Sequence, residues 1–444
     1  MPSHTDTAPE TTKTSAGNYF VANYPPFSFW NADSRSEVFA ALEQPPEPDT
    51  PLGVYVHLPF CRKRCHFCYF RVYTGKDAKP ARVDRYVDAL LSELRAYAAK
   101  PLISGRQPRF VYFGGGTPSF LPPPTLRRLV EGMREILPWG DAEEVTFECE
   151  PGTLDQEKLD TLRDLGITRL SLGIENFDDA ILKSNGRAHL SKEIYRAYDY
   201  ARQIGFDQIN IDLIAGMLNE TDENWQRCVE RAVELQPDCV TIYQMEIPYN
   251  TTIYREMRER GEVTAPVADW PTKRGWVHSA FDQLETAGYT VTSTCTAIRD
   301  PSTYQFLYRD YLWRGADMVS LGIASFGHFR GVHYQNEKDF EPYADCIERG
   351  ELPVHRALAM SAEEKLIREL ILQMKLGRLD REYFEKKFDV DIHQRFAEPL
   401  SELQQAGDVQ RNPGGIELTR DALLRVDQLL HAFFLPQHQN ARYT

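Results

Sequence analysis

An α/β architecture built on parallel strands is what this sequence predicts, and three observations carry it. From residue 53 onward, short runs of β-branched and aromatic residues alternate with amphipathic stretches of helical period. The alternation repeats six times, enough for a barrel or an open portion of one, although open doubly wound sheets share it. Glycines and polar residues gather where each strand run ends, which is where barrels carry their active sites.

Taken in order, the strand candidates are 54–58, 110–113, 144–147, 169–173, 208–214 and 240–245, with helical stretches between them at 86–99, 125–137, 156–164, 192–204 and 223–235. A helical stretch at 273–287 and a strand-like run at 289–294 follow, then an apolar run at 318–323. From residue 361 the pattern changes to helices at 362–375, 381–388 and 393–406, a turn at Asn412-Pro413-Gly414-Gly415 and a last helix at 419–433. That order suggests a winged-helix-like module. With 12 Lys/Arg against 14 Asp/Glu the module lacks the basic footprint of DNA binding, and it is expected to cover the barrel mouth.

Upstream of the repeats, residues 18–50 hold Tyr19, Phe20, Tyr24, Phe27, Phe29 and Trp30, then Pro45-Pro46-Glu47-Pro48, which reads as a linker. The aromatics suit either a segment packed on the main domain or part of a substrate lid. Residues 1–17, rich in Thr, Ser, Pro and Ala, read as a disordered tail. The expected division is an N-terminal extension, partly disordered (1–50), the barrel (51–300), a closing segment (301–360) and a C-terminal helical domain (361–444).

The 444 residues suffice for one large domain plus a smaller one. A formal charge of −14 argues against nucleic-acid or anionic-membrane partners, and no apolar run approaches spanning length. Cys149, Cys228, Cys239, Cys295 and Cys346 are scattered singly and read as small buried hydrophobes, which fits a reducing cytoplasm.

The other three cysteines stand apart. Cys61, Cys65 and Cys68 are spaced C-x3-C-x2-C directly after the first strand. Thiolates this close can converge on one metal centre, and cysteine thiolates are the usual ligands of iron–sulfur clusters. A zinc site would want four ligands in two separated pairs, and a disulfide framework an even, dispersed set. Three ligands leave one iron of a four-iron cluster open.

This pattern, with an aromatic before the last cysteine, resembles the signature of radical S-adenosylmethionine (SAM) enzymes. The preceding Tyr55-Val56-His57-Leu58-Pro59-Phe60 is similar to the oxygen-independent coproporphyrinogen III oxidase-like family, and the resemblance runs from residue 50 to 435. It implies a partial (β/α)6 radical SAM barrel with a C-terminal helical, winged-helix-like domain. It also implies a 4Fe–4S cluster on Cys61, Cys65 and Cys68, whose open iron chelates the methionine moiety of SAM. The reduced cluster then cleaves SAM to methionine and a 5′-deoxyadenosyl radical.

The resemblance assigns the strand-end motifs in turn. Gly114-Gly115-Gly116-Thr117-Pro118 resembles the element that binds the SAM amino group, here through Gly115, Gly116 and Thr117. Glu148-Cys149-Glu150-Pro151 places Glu148 on SAM. Glu175 stands where the family commonly carries Gln, Arg187 resembles the arginine that pairs with the SAM carboxylate, and Asp212 matches a ligand-facing aspartate. Tyr55 and His57 are the catalytic candidates. The segment from Tyr308 to His328, with Tyr334-Gln335-Asn336, resembles the part that closes over a second ligand, and Arg309, Arg314 and His328 are candidate contacts to substrate carboxylates.

The implied reaction is hydrogen abstraction from a propionate of a tetrapyrrole, followed by decarboxylation to a vinyl group. An electron donor such as flavodoxin or ferredoxin would be the partner, and a cytoplasmic monomer is expected. Two departures are visible: the family's oxidase has a further cysteine where this chain has Phe70, and Gln where it has Glu175. Two alternatives follow. One is a C-methyltransferase or cyclopropane-forming enzyme that binds two SAM molecules. The other is a haem-binding chaperone, which Gly186-Arg187-Ala188-His189 resembles.

Overall fold

Residues 13–17, 19–262 and 264–439 are described by a computed structural model. All six expected strands are present within two residues of their predicted ends: β1 (Leu52–Leu58), β2 (Phe110–Gly115), β3 (Glu144–Cys149), β4 (Arg169–Glu175), β5 (Gln208–Ala215) and β6 (Cys239–Gln244). Each pairs parallel with the next, with Gly53 opposite Phe110 and Asn210 opposite Cys239. Alternation sorts their side chains. Val54, Val56, Leu58, Leu170, Leu172, Ile209 and Ile211 are fully buried in the core beneath the helices. The alternate positions are polar and interlock: Ser171 Oγ donates to Asp212 at 2.9 Å, Asn210 Nδ2 to Ser171 Oγ at 2.8 Å, and Thr241 Oγ1 to Asn210 Oδ1 at 2.9 Å.

The covering helices begin where their caps dictate. Asp155 accepts from Lys158 N ahead of Gln156–Asp164, and Thr221 from Asn224 N ahead of Asp222–Leu235. Pro80–Ala98 and Pro123–Ile136 carry proline in the first turn, where its missing donor costs nothing.

The sheet extends beyond the six repeats. β7 (Thr290–Ser293) and β8 (Thr296–Ile298) continue it past β6. On the other side β9 (Asp317–Leu321) lies parallel to β1, followed by antiparallel β10 (Phe326–Phe329), β11 (Val332–Asn336) and β12 (Val354–Ala359). The order is β12-β11-β10-β9-β1-β2-β3-β4-β5-β6-β8-β7, and no pairing joins its two ends among the described residues, so the barrel is partial.

The closing segment sits at the opposite end from the one expected. Helix Leu307–Trp313 docks where the strands begin. Glu144, first in β3, accepts from Leu307 N at 2.9 Å and Tyr308 N at 3.2 Å, and Tyr311 stacks on Phe110, first in β2. Arg309 is buried there against Asp310 at 2.8 Å, and Arg314, the residue that follows the helix, is exposed. His328 is buried against His333, Nδ1 to Nδ1 3.1 Å. Tyr334, Gln335 and Asn336 are buried as well: Tyr334 Oη accepts from Ser320 N, and Asn336 Nδ2 donates to Glu93 at 2.7 Å.

The C-terminal domain has its own core, including Leu370, Ile371, Phe384, Leu400, Ile416 and Val426. Helices Ala362–Met374, Arg381–Phe388, Ile392–Arg395 and Ala397–Gln405 pack with a sheet of β13 (Arg378–Asp380), β14 (Val409–Asn412) and β15 (Gly415–Leu418), a winged-helix-like arrangement. Two expected helices are broken. That at 393–406 divides at Phe396, and that at 419–433 is Arg420–Leu424, Val426–Leu429 and a 3₁₀ turn, Leu430–Phe433.

The N-terminal extension is more ordered than its composition suggests. Residues 1–12 of the expected tail lie outside the described residues, but 13–17 are packed: Thr14 Oγ1 donates to Ala268 O at 2.8 Å and Gly17 N to Ile247 O at 3.0 Å. Tyr24 and Trp30 are buried, and helix Arg35–Leu42, unread in the sequence, buries Val38 and Leu42.

Candidate active site

The carboxyl ends of the strands open into a cavity of about 1020 Å³. Cys61, Cys65 and Cys68 line it, together with Gly115, Gly116, Thr117, Glu148, Glu175, Arg187 and Asp212, so all the residues expected to hold the cluster and SAM converge on one space. Leu424, Arg425 and Asp427 form part of its wall, which puts the C-terminal domain at the mouth.

The loop that carries the cysteines is held at its neck and its tip. Cys61 N donates to Tyr73 O at 3.0 Å and Tyr73 N to Pro59 O at 2.8 Å. At the tip His66 N donates to Asn185 O, while His66 O accepts from Thr252 N and Ile253 N. Its basic residues serve the same end. Arg62 makes a bidentate pair with Glu150 at 2.9 and 3.0 Å and reaches Ala188 O, and Arg64 caps Cys68 O at 2.8 Å. Glu150 also accepts from His189 Nδ1 at 2.8 Å. Burial pushes the Glu150 carboxyl up, but His189 and Arg62 outweigh it and hold it below its ordinary value. Sequence analysis assigns no role to Glu150 or His189, although each lies within a quoted motif.

Two glycines let β2 end against this loop. A Cβ on Gly116 would lie 2.9 Å from the Pro59 carbonyl carbon and 3.0 Å from Cys61 Sγ. Gly115 has φ 115°, and a Cβ there would meet the His57 ring at 2.7 Å. Their amides are engaged, Gly115 N with Glu148 at 3.1 Å and Gly116 N with Leu58 O at 2.9 Å. Thr117 Oγ1 donates to Cys61 Sγ at 3.3 Å.

Opposite stands Arg187. Its Nη1 donates to Cys65 Sγ at 3.1 Å and lies 3.5 Å from Glu175, and its Nη2 donates to Gly173 O at 2.6 Å. Burial alone would lower the guanidinium, but Cys65 and Glu175 hold it above its ordinary range. Glu175 sits on a β4 bulge with φ 68°, a strained conformation for a residue with a side chain. Burial raises its carboxyl to about 7 against the pull of Arg187, and burial likewise raises Glu148 to about 7 although Tyr112 Oη donates to it at 2.7 Å. Asp212 is raised by burial too. A cationic ligand among these three acids would bring them down again.

Tyr55 and His57 are placed differently from the rest. They contact each other, Tyr55 Oη to His57 Nδ1 3.2 Å, but neither lines the cavity. Gly115 lies against the His57 ring, and Tyr55 stacks on Tyr112. Burial lowers His57 to about 4, so the imidazole is neutral. Arg309, Arg314 and His328 are also absent from the cavity wall; their helix and strand belong to the other end of the barrel and its antiparallel extension.

Among the described residues no three His, Cys, Asp or Glu side chains converge as ligands of a single ion would. Three thiols lining one cavity fit a polynuclear cluster with one thiolate per iron. Burial pushes the Cys61 thiol up to about 12 and Cys68 up as well, so a cationic centre is what would hold them as thiolates.

Comparison with known proteins agrees with this geometry. Residues 55–232 match the radical SAM superfamily and residues 360–425 the HemN C-terminal domain. The oxygen-independent coproporphyrinogen III oxidase of Helicobacter pylori strain J99 is 30% identical over 400 residues, 86% of each chain. The chain belongs to the oxygen-independent coproporphyrinogen III oxidase-like family of radical SAM proteins. Another family member, the heme chaperone HemW of Bacillus subtilis, is 26% identical over 86% of this chain and 98% of its own. The solved structure of the family's coproporphyrinogen III oxidase from Escherichia coli, described as a radical SAM enzyme, superposes with a TM-score of 0.79 at 25% identity, covering 95% of this chain and 99% of that one. The family's cofactors are a 4Fe–4S cluster and SAM, and the thiols and acids of the cavity suit both. No helix among the described residues is long and apolar enough to cross a membrane.

Proposed function

We propose that this protein is a radical SAM oxidoreductase that acts on the propionate side chains of a tetrapyrrole, a reading supported by relatives named oxygen-independent coproporphyrinogen III oxidase. The observation that carries the reading is the convergence of the cysteine triplet and the strand-end motifs on one cavity. When bound, the cluster supplies the electron that splits SAM into methionine and a 5′-deoxyadenosyl radical.

The chain's own residues then have distinct tasks. Cys61, Cys65 and Cys68 would hold the cluster, and three thiolates would leave it one open position for SAM. The amides of Gly115 and Gly116 are occupied, so their carbonyls and the Thr117 hydroxyl are the acceptors left for the SAM ammonium. Arg187, whose buried Nε has no hydrogen-bond partner among the described residues, would pair with the SAM carboxylate. Glu148, Glu175 and Asp212 would accept from the ribose hydroxyls and balance the sulfonium charge. Tyr55 and His57 are positioning residues that support Gly115 and the Tyr112–Glu148 pair. A small acidic electron donor such as flavodoxin or ferredoxin would reduce the cluster in the cytoplasm, with the protein acting as a monomer.

A haem chaperone is the second reading, favoured by the near full-length match to the Bacillus subtilis protein and by Phe70 in place of the oxidase cysteine. Anaerobic incubation with SAM, reductant and either coproporphyrinogen III or haem separates the two. Formation of 5′-deoxyadenosine that depends on coproporphyrinogen III supports the oxidase, and tight haem binding without SAM cleavage supports the chaperone. A methylated tetrapyrrole would point instead to methyl transfer.

A further inference from the structure

Six large aromatic side chains are between 41% and 48% exposed among the described residues, and five of them, Phe20, Tyr69, Phe70, Tyr243 and Tyr249, line the active-site cavity. Only Phe39 lies elsewhere. Leaving so much aromatic surface open to water is costly, and concentrating it in one concave site marks a surface meant to be covered. The rings come from four separate parts of the chain: the N-terminal extension, the cluster loop, β6 and the loop after β6. Tyr69 and Phe70 are stacked, with centroids 4.4 Å apart at 30°. Tyr69 is held by its backbone, whose carbonyl accepts from Asn250 Nδ2, next to Tyr249. Tyr249 is braced edge-on by Tyr254 at 5.2 Å. Lys63, exposed on the same loop and paired with no carboxylate among the described residues, adds a cation to the cavity wall.

We propose that these five aromatics form the subsite for the substrate's macrocycle, with Tyr69 and Phe70 as specificity-determining residues whose faces pack on its pyrrole rings, and with Lys63 taking a peripheral carboxylate. The inference rests on the tetrapyrrole reading above. Flat, electron-rich pyrroles bearing carboxylates are what a ring of aromatic faces beside a cation recognises. The cavity of about 1020 Å³ lies at the upper end of the range for small-molecule sites. The residues that sequence reading proposed for the substrate, Arg309 and Arg314, have no access to this space.

The test is anaerobic calorimetric titration of the reconstituted protein with coproporphyrinogen III. Wild type is compared with Tyr69→Leu/Phe70→Leu, Tyr243→Leu/Tyr249→Leu and Phe39→Leu. The leucines keep apolar volume while removing the faces, and iron content reports an intact cluster loop; the second pair lies outside that loop and gives an independent reading. Each cavity pair should weaken binding by about tenfold or more, with Phe39→Leu unchanged. Wild-type binding that neither cavity pair alters overturns the subsite while the tetrapyrrole reading stands. Failure of wild type to bind overturns both.

Discussion

The Arg187 guanidinium donates to the Cys65 sulfur at 3.1 Å, so the loop of the cysteine triplet and the end of β4 share one cation. Its second nitrogen is fixed to Gly173 O, and Glu175 lies beside it. Replacing Arg187 therefore touches both partners. Arg187→Ala should lower SAM affinity by about tenfold or more, since charge-assisted hydrogen bonds contribute roughly 1.5–3 kcal/mol. It should also make the cluster harder to reduce, because a positive charge leaves a ligand sulfur. Equilibrium SAM binding and a redox titration followed by electron paramagnetic resonance check the two effects; an unchanged potential would mean the sulfur contact is not kept in the loaded protein.

The thiols divide into two groups. Cys61→Ala, Cys65→Ala and Cys68→Ala should each abolish the brown chromophore and the complement of about four irons per chain. Cys149→Ala, Cys228→Ala and Cys239→Ala remove buried thiols of the barrel, and Cys295→Ala and Cys346→Ala partly exposed ones, so all five should retain it. Iron analysis and the visible spectrum decide the matter.

Gly116 offers a steric test of the same loop. An added methyl would meet Pro59 and Cys61 Sγ at about 3 Å, and both belong to the neck of the loop. Gly116→Ala should cost about 1–3 kcal/mol of stability and reduce cluster occupancy even though no ligand is removed. Thermal melting and iron content after reconstitution would show both losses.

Much of this was legible in the sequence, for identifiable reasons. The six parallel strands are buried on their outer faces, so their Val, Ile and Leu runs stand out, and the motifs sit directly at their ends. The closing segment was misplaced because charge in a connecting stretch looks the same whether it faces a ligand or, as Arg309 does, a neighbouring aspartate. Aromatics such as Tyr69 and Tyr243 gave no signal, since a ring exposed to a cavity is indistinguishable in sequence from a core ring. The packing of Thr14 and Gly17 depends on partners more than two hundred residues away, beyond the reach of local pattern.

Glu93 provides a pH-dependent handle away from the cluster. It is buried between helix Pro80–Ala98 and the closing segment, where it accepts from Gly322 N, Asn336 Nδ2 and Tyr343 Oη. Burial raises its carboxyl to about 8 despite these donors. A carboxyl whose folded pKa lies above its unfolded value stabilises the fold most below the unfolded value and loses that contribution as pH rises through the folded one. Wild type should therefore lose stability relative to Glu93→Gln between about pH 5 and 8, by at most about 1.4 kcal/mol per pH unit. Urea denaturation of both proteins at pH 6 and pH 8 measures the difference; a gap that does not change with pH would show that Glu93 is ionised throughout.

The central claim is that the cavity joins a radical source to a tetrapyrrole. Its most direct test is mass spectrometry of the tetrapyrrole after anaerobic incubation of the reconstituted protein with SAM, reductant and coproporphyrinogen III. The account predicts a product in which propionates have lost carbon dioxide and two hydrogens to become vinyl groups, and none from Cys65→Ala. One hydrogen passes to 5′-deoxyadenosine and the remaining electron to an electron acceptor included in the incubation. Recovery of coproporphyrinogen III with unaltered mass, from protein carrying a full cluster and binding SAM, would contradict it.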